Sequence, residues 1–244
     1  MSVEIRDMFA SIASKYDVAN DVLSMGIHRI WRQRLVRIAK KEETTKILDL
    51  CTGTGDLAFS FAEAFGSSTT VIGLDFVAEM LERAAEKKAK RALTNVSFVQ
   101  GDATAIPFPP QTFDLVSVSF GVRNIPHLDR CLAEVQRVLK PKGRFFVLEF
   151  GQVRTSGFKQ LYEWYSRTLM PQIGKLITGN KAAYTYLPET SRHFAAGPAF
   201  IEILRAAGFE NISAEPLLDG LAYIYQARMP EILPSSLGQQ AHLG

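Results

Sequence analysis

Cysteine is scarce. The 244 residues hold only Cys51 and Cys131, too few for a disulfide framework. Four scattered histidines offer no metal-ligand spacing, so no metal is expected. No run approaches the roughly 18 consecutive apolar residues that span a bilayer. An excess of one charge sign is also missing. The formal net charge of +3 is too small to argue for a polyanionic partner, and no nucleic acid is expected. The one dense basic run, EKKAKR from Glu86 to Arg91, lies in a helical pattern and reads as a solvated face. The opening MSVEIRDMFASIASKYD carries Glu4, Arg6 and Asp7 where a secretory signal needs an apolar stretch. A cytoplasmic protein is expected, with peripheral contact at the inner face of a membrane left open.

What is present is an ordinary globular composition, 47% apolar and 22% charged, long enough to bury a substantial core. From Lys46 onward, short apolar runs (KILDLC, TVIGLD, VSFVQG, FDLVSVSF, RFFVLEF) alternate with helical patterns at Leu57–Phe65, Ala78–Lys90 and Leu128–Leu139. Such alternation predicts right-handed βαβ units and a parallel sheet covered on both faces. Helical text precedes it from Val3 to Lys40, and an aromatic-rich helix follows from Phe158 to Gly179. Pro198 and Gly208 bound another helix. NISAEPLL and LAYIYQARM read as closing strands, with Asp219-Gly220 as a hairpin signal. The expected architecture is one α/β domain over residues 1–229: a helical lid (1–43), a cofactor-binding core (44–151), then acceptor-side helices and the hairpin (152–229). Residues 230–244 read as a flexible tail without a role.

Gly53 and Gly55 follow an apolar strand directly and open a helix, where glycine permits a tight turn and close ligand approach. The helix N-terminus adds free amides and partial positive charge. Asp49 and Thr54 can contribute polar contacts, and Asp75 ends the next strand where a carboxylate can accept two ribose hydroxyls. The turn alone is ambiguous, because GTGDLA also satisfies the nicotinamide fingerprint. A short-chain dehydrogenase needs lysine four positions after a tyrosine, and none of the seven tyrosines has one. The next strand favours a different cofactor. Asp102 can accept from an adenine amine and the Ala103 amide can donate to a ring nitrogen, although a lone Asp is more commonly a turn residue. PFPPQTFDLVSVSF resembles the fourth-strand motif of class I methyltransferases, with Ser119 at its end facing the cofactor. A parallel sheet ended by an antiparallel hairpin suits that class as well. The expected fold is therefore a class I, doubly wound, mostly parallel seven-stranded sheet with an N-terminal helical lid. The expected cofactor is S-adenosyl-L-methionine.

YDVANDVLSMGIHRIW (Tyr16 to Trp31) resembles the N-terminal signature of the ubiquinone/menaquinone biosynthesis C-methyltransferase family. RVLKPKGRFFVLEFG, SFGVRN and YTYLPETSR resemble its later motifs, so the likeness covers nearly the whole chain. Ala19, Lys142 and Gly151 depart from the family's usual methionine, glycine and serine. The resemblance implies methyl transfer to a ring carbon of a polyprenylated hydroquinone, demethylmenaquinol or the ubiquinol precursor. Another small lipid or phenolic acceptor is the alternative, and a nicotinamide-dependent oxidoreductase comes third. Arg123 is the candidate for stabilising a phenolate or orienting a water that accepts the proton, set against a structural arginine paired with an acid. His28 and Asp17 are candidate proton acceptors, with His28 equally readable as a packed histidine. Asn20 could position a quinol oxygen or cap a helix. The aromatics of FKQLYEWYSRTLMPQIGKLITG either line a channel for a prenyl tail or touch a membrane surface; a plain core stripe is the blander alternative.

Overall fold

The computed structural model describes residues 3–231. Seven strands form one sheet in the order β3-β2-β1-β4-β5-β7-β6. They are β1 (Lys46–Leu50), β2 (Thr70–Asp75), β3 (Val96–Gln100), β4 (Phe113–Ser119), β5 (Leu139–Phe150), β6 (Glu210–Leu217) and β7 (Ala222–Arg228). The first five pair in parallel, whereas β7 runs antiparallel to both β5 and β6. Chain order reverses between β1 and β4, which sets a crevice at their carboxyl ends.

The apolar runs are continuous because both faces of this sheet are covered. Alternate residues serve opposite faces. Leu48, Leu50, Val116 and Val118 pack with α6 (Leu128–Val138) and α10 (Pro198–Ala206). Ile47, Leu115, Phe146 and Leu148 pack with α3 (Ile27–Ala39) and α4 (Asp56–Phe65). A third cluster joins α1 (Val3–Ile12) and α2 (Tyr16–Ser24) to Met80 of α5 (Ala78–Arg91) and Tyr184 of α9 (Lys181–His193). The predicted strands and helices are therefore present.

Three local features differ from the sequence reading. The aromatic helix is two segments, α7 (Ser156–Trp164) and α8 (Met170–Thr178), joined through a π-helical turn at Tyr165–Leu169. α9 spans the YTYLPETSR stretch, where the sequence pattern shows a motif but no helix. Pro188 falls inside it, while the Asn180 side chain caps its start by accepting from the Ala183 amide at 3.2 Å. The closing hairpin pairs Leu217 with Ala222, so its connection is longer than the Asp219-Gly220 turn alone. Asp219 accepts from the Thr155 amide at 2.8 Å and ties this connection to the chain leaving β5.

Two of the unusual residues acquire physical meaning. Lys142 adopts φ 61°, a left-handed conformation that costs a non-glycine residue about 1 kcal/mol. At Gly151 a Cβ would lie 2.5 Å from Tyr223 and 2.6 Å from the Gly220 carbonyl oxygen, so this chain has no room for a serine there. The expected tail falls, from residue 232 on, outside the described residues.

Candidate active site

The glycine turn lies between β1 and α4, as its residue pattern requires. Gly53 (φ 56°) and Gly55 (φ 85°) are both left-handed. At Gly55 a Cβ would meet the Phe98 and Phe59 rings at 2.8 and 2.9 Å, whereas at Gly53 it would meet nothing within 4 Å. Gly55 is thus required by packing beneath the turn, whereas Gly53 is favoured by its left-handed φ and leaves open space above it.

Narrow clefts surround this turn. One is lined by Asp75, Asp102, Ala103 and Asn124; a second by Gly53, Asp75, Ser119 and Asn124; a third by Arg32, Asp49, Thr54, Asp56 and Ser119. Seven of the eight residues expected to bind cofactor line these clefts, and Gly55 supports the turn from below. Asp75 is buried, and its carboxylate accepts from the Gly53 amide at 2.7 Å and the Val77 amide at 2.9 Å. Burial raises its pKa while those two amides and that of Phe76 oppose the rise. A carboxylate accepts about four hydrogen bonds, so capacity remains for a ligand.

Asp49 sits below the turn, accepting from Thr52 and Ser117 hydroxyls at 2.7 Å each. Burial lifts its pKa to about 6, against the pull of both hydroxyls. Asp102 accepts from the amide and hydroxyl of Thr104, both at 2.8 Å, in the local turn that a lone Asp commonly makes. Ser119 presents a buried hydroxyl oxygen with no hydrogen-bond partner. Both thiols are held protonated by burial, Cys131 with a pKa of about 12, consistent with small apolar packing.

Beside the crevice lies a cavity of about 360 Å³ whose surface is overwhelmingly apolar. That volume suits a small organic ligand. Trp31, Phe120, Phe150, Phe158, Tyr162, Trp164 and Tyr165 supply its aromatic walls, so several lid aromatics face a space instead of forming a closed stripe. Met25, Leu161, Trp164 and Leu218 line this cavity and are also exposed, which makes its rim apolar. Tyr16 and Phe120 border both the cavity and the crevice. The Tyr165 hydroxyl donates to the Leu23 carbonyl at 2.8 Å and fixes the π-turn over α2.

Arg123, His28 and Asn20 all line this cavity. Arg123 is buried against Glu149, donating from Nη1 to Oε1 at 2.5 Å and to the Phe120 carbonyl at 2.8 Å. Its Nε is buried without a partner. The arginine thus combines the structural ion pair with a position on the cavity wall. His28 Nδ1 lies 2.5 Å from the Ser24 hydroxyl, and its Nε2 is 3.6 Å from Asp21. Burial, then the charge of Arg32, lowers its pKa to about 4. A neutral imidazole of such low basicity is a poor proton acceptor at neutral pH.

Asp17 is turned away from the cavity. It accepts from the Thr54 hydroxyl at 2.5 Å and from Lys87 Nζ at 2.8 Å, and Lys87 also pairs with Asp56. These contacts tie the lid helix α2 to the glycine turn and α5. Glu149, Tyr16, Lys87 and Arg32 were missed in the sequence. Glu149 had a visible signal: an acid inside the apolar strand RFFVLEF must find a charged or polar partner when buried. Asn124 of SFGVRN accepts from the Tyr186 hydroxyl of YTYLPETSR at 3.0 Å, which joins two motifs distant in the chain.

Comparison with known proteins bears on this geometry. The family model described as the ubiE/COQ5 methyltransferase family matches residues 1–228. A Bdellovibrio bacteriovorus protein named ubiquinone/menaquinone biosynthesis C-methyltransferase UbiE is 41% identical over 223 residues, covering 91% of this chain and 94% of that protein. A Brucella anthropi protein of the same name is 39% identical over 224 residues, covering 91% and 85% respectively. Among solved structures, a possible histamine N-methyltransferase from Thermotoga maritima matches with TM-score 0.60 and 17% identity, over 91% of this chain and 98% of that one. An S-adenosylmethionine-dependent methyltransferase from Aquifex aeolicus matches with TM-score 0.54 and 20% identity, over 79% and 88%. At these identities the structural likeness concerns the fold alone, which is that of class I methyltransferases.

Proposed function

Because the chain belongs to the ubiE/COQ5 methyltransferase family, we propose that its large cavity receives the ring of a polyprenyl hydroquinone. The protein is an S-adenosylmethionine-dependent C-methyltransferase of ubiquinone/menaquinone biosynthesis. One observation carries the acceptor reading: an apolar cavity with an exposed apolar rim borders the glycine-turn crevice through Tyr16 and Phe120. A ring can occupy the cavity while its hydrocarbon tail leaves over the rim. Membrane contact follows from the same rim, since Met25, Leu161, Trp164 and Leu218 would enter a lipid surface where such a tail resides.

The crevice suits S-adenosylmethionine. The partnerless hydroxyl of Ser119, the open side of Gly53 and the carboxylates of Asp49 and Asp75 are unmet capacities of the kind this cofactor answers. Asp75 would take the ribose hydroxyls, and Asp102 and Ala103 the adenine. Gly53, Thr54, Asp49 and Ser119 would border the amino-acid end. Bound there, the cofactor supplies a methyl group on a positively charged sulfur, already activated for transfer.

The chain's task is then to align the acceptor and manage a proton. A hydroquinone oxygen must give up its proton, to a water, as the ring carbon gains the methyl group; the ring hydrogen then leaves as a proton while that oxygen is protonated again, so one proton is released per turnover. Arg123 would stabilise the oxygen that gains charge, held in place by Glu149. Asn20 would orient the second oxygen. His28, neutral and bonded to Ser24, would contribute wall and shape more than basicity. Close alignment of donor and acceptor supplies the larger share of acceleration.

The test uses labelled S-adenosylmethionine with a demethylated quinone offered in reduced and oxidised form. Label should enter only the reduced ring. Equal transfer to the oxidised ring would refute the nucleophilic hydroquinone.

A further inference from the structure

We propose that Arg32 grips the carboxylate of the cofactor's amino-acid end, so that a lid residue completes the cofactor site. The proposal rests on the cofactor reading above and adds a residue to it. Arg32 lies on α3, whose apolar face seals the sheet, and it is 9% exposed. Its Nη1 donates to Asp56 Oδ2 at 2.9 Å. Its Nε is buried and has no hydrogen-bond partner. A guanidinium carries five donors in a rigid fork, and a buried one left unsatisfied is costly. Such a group is retained where a ligand answers it.

The surroundings specify which ligand. Arg32 lines the same cleft as Gly53, Thr54, Ser119, Asp49 and Asp56. Among the described lining residues it is the one cation, facing two carboxylates. An α-amino acid brings one ammonium and one carboxylate. The two acids match the ammonium, which leaves the carboxylate to the guanidinium fork. The N-terminus of α4 opens at this cleft with Asp56 as its first residue, and its free amides favour an anion at the same point. Asp56 does not depend on Arg32 alone, because Lys87 also pairs with it. Sharing the guanidinium with a ligand therefore leaves no bare carboxylate behind. The side chain also lies 6.0 Å over the Phe120 ring, which helps hold the fork flat between crevice and cavity.

Calorimetry with two ligands tests this. S-adenosylhomocysteine has the amino-acid end, and 5′-methylthioadenosine lacks it. Arg32→Gln should weaken the first by about tenfold to a hundredfold, the worth of a charged hydrogen bond. It should leave the second within about twofold. Arg32→Lys keeps the charge but not the fork, so it should weaken S-adenosylhomocysteine several-fold and spare methylthioadenosine; this variant decides the matter if Arg32→Gln does not fold. Equal loss for both ligands, or no loss for either, overturns the assignment while leaving the cofactor reading intact. If the wild type binds neither ligand, the cofactor reading falls and takes the Arg32 proposal with it. Unchanged binding of both ligands with a raised KM for the acceptor would move Arg32 to the cavity and likewise overturn it.

Discussion

Replacing Glu149 by glutamine keeps the shape of the strand and removes one negative charge. The Arg123–Glu149 pair has almost no solvent contact, with side chains 3% and 0% exposed. Glu149 also receives the Phe150 amide at 2.8 Å and the Arg123 amide at 3.3 Å. Taking away one partner of a buried pair strands the other charge in a low dielectric, at a cost of about 3–5 kcal/mol. For a chain of this length each kcal/mol lowers Tm by about 2–4 °C, so Glu149→Gln should melt roughly 6–20 °C below the wild type. Arg123→Met should behave similarly. The double variant Arg123→Met/Glu149→Gln buries no charge and keeps an acceptor for both amides, so it should recover to within about 1 kcal/mol of the wild type. Urea unfolding followed by circular dichroism measures all three. Methyl transfer separates the two roles of Arg123, since the stable double variant should bind S-adenosylhomocysteine normally yet turn over poorly. A Glu149→Gln protein within about 1 kcal/mol of the wild type would refute the buried-pair argument. Full turnover in the double variant would reduce Arg123 to scaffolding.

Further outcomes are expected elsewhere. Asp75→Ala should weaken S-adenosylhomocysteine binding at least about tenfold by calorimetry, through lost charge-assisted hydrogen bonds; an unchanged Kd would remove Asp75 from the site. His28 titrates near 4 in the folded protein and near 6.5 unfolded, so the unfolded chain binds the proton first as pH falls. The wild type should therefore lose stability from pH 6.5 down to about 4, and His28→Gln should lose less over that window; parallel curves would contradict the burial argument. Met25→Ser with Trp164→Ser should reduce sedimentation with phosphatidylcholine vesicles and leave S-adenosylhomocysteine affinity alone, whereas undiminished sedimentation would count against the rim as a lipid contact.

The sheet was legible because each parallel strand is covered on both faces and so appears as an uninterrupted apolar run. The crevice was legible for a related reason. Its residues stand at strand ends, at positions that the β–α alternation dictates. The acceptor side was less readable. Asp17 sits in a motif that suggested substrate contact, but its partners Thr54 and Lys87 are 37 and 70 residues away in sequence. No local pattern announces such a pairing. Arg32 was hidden in an ordinary amphipathic helix, and only its burial and the missing partner of one nitrogen distinguish it from a surface arginine. The GTGDLA turn, equally suited to a nicotinamide enzyme, needed Asp102, Ala103 and the SFGVRN motif to become specific.

Tyr16 stands in the partition between two rooms, bordering the donor crevice on one side and the acceptor chamber on the other. A change in the size of that one ring would therefore be felt on both sides of the partition at once.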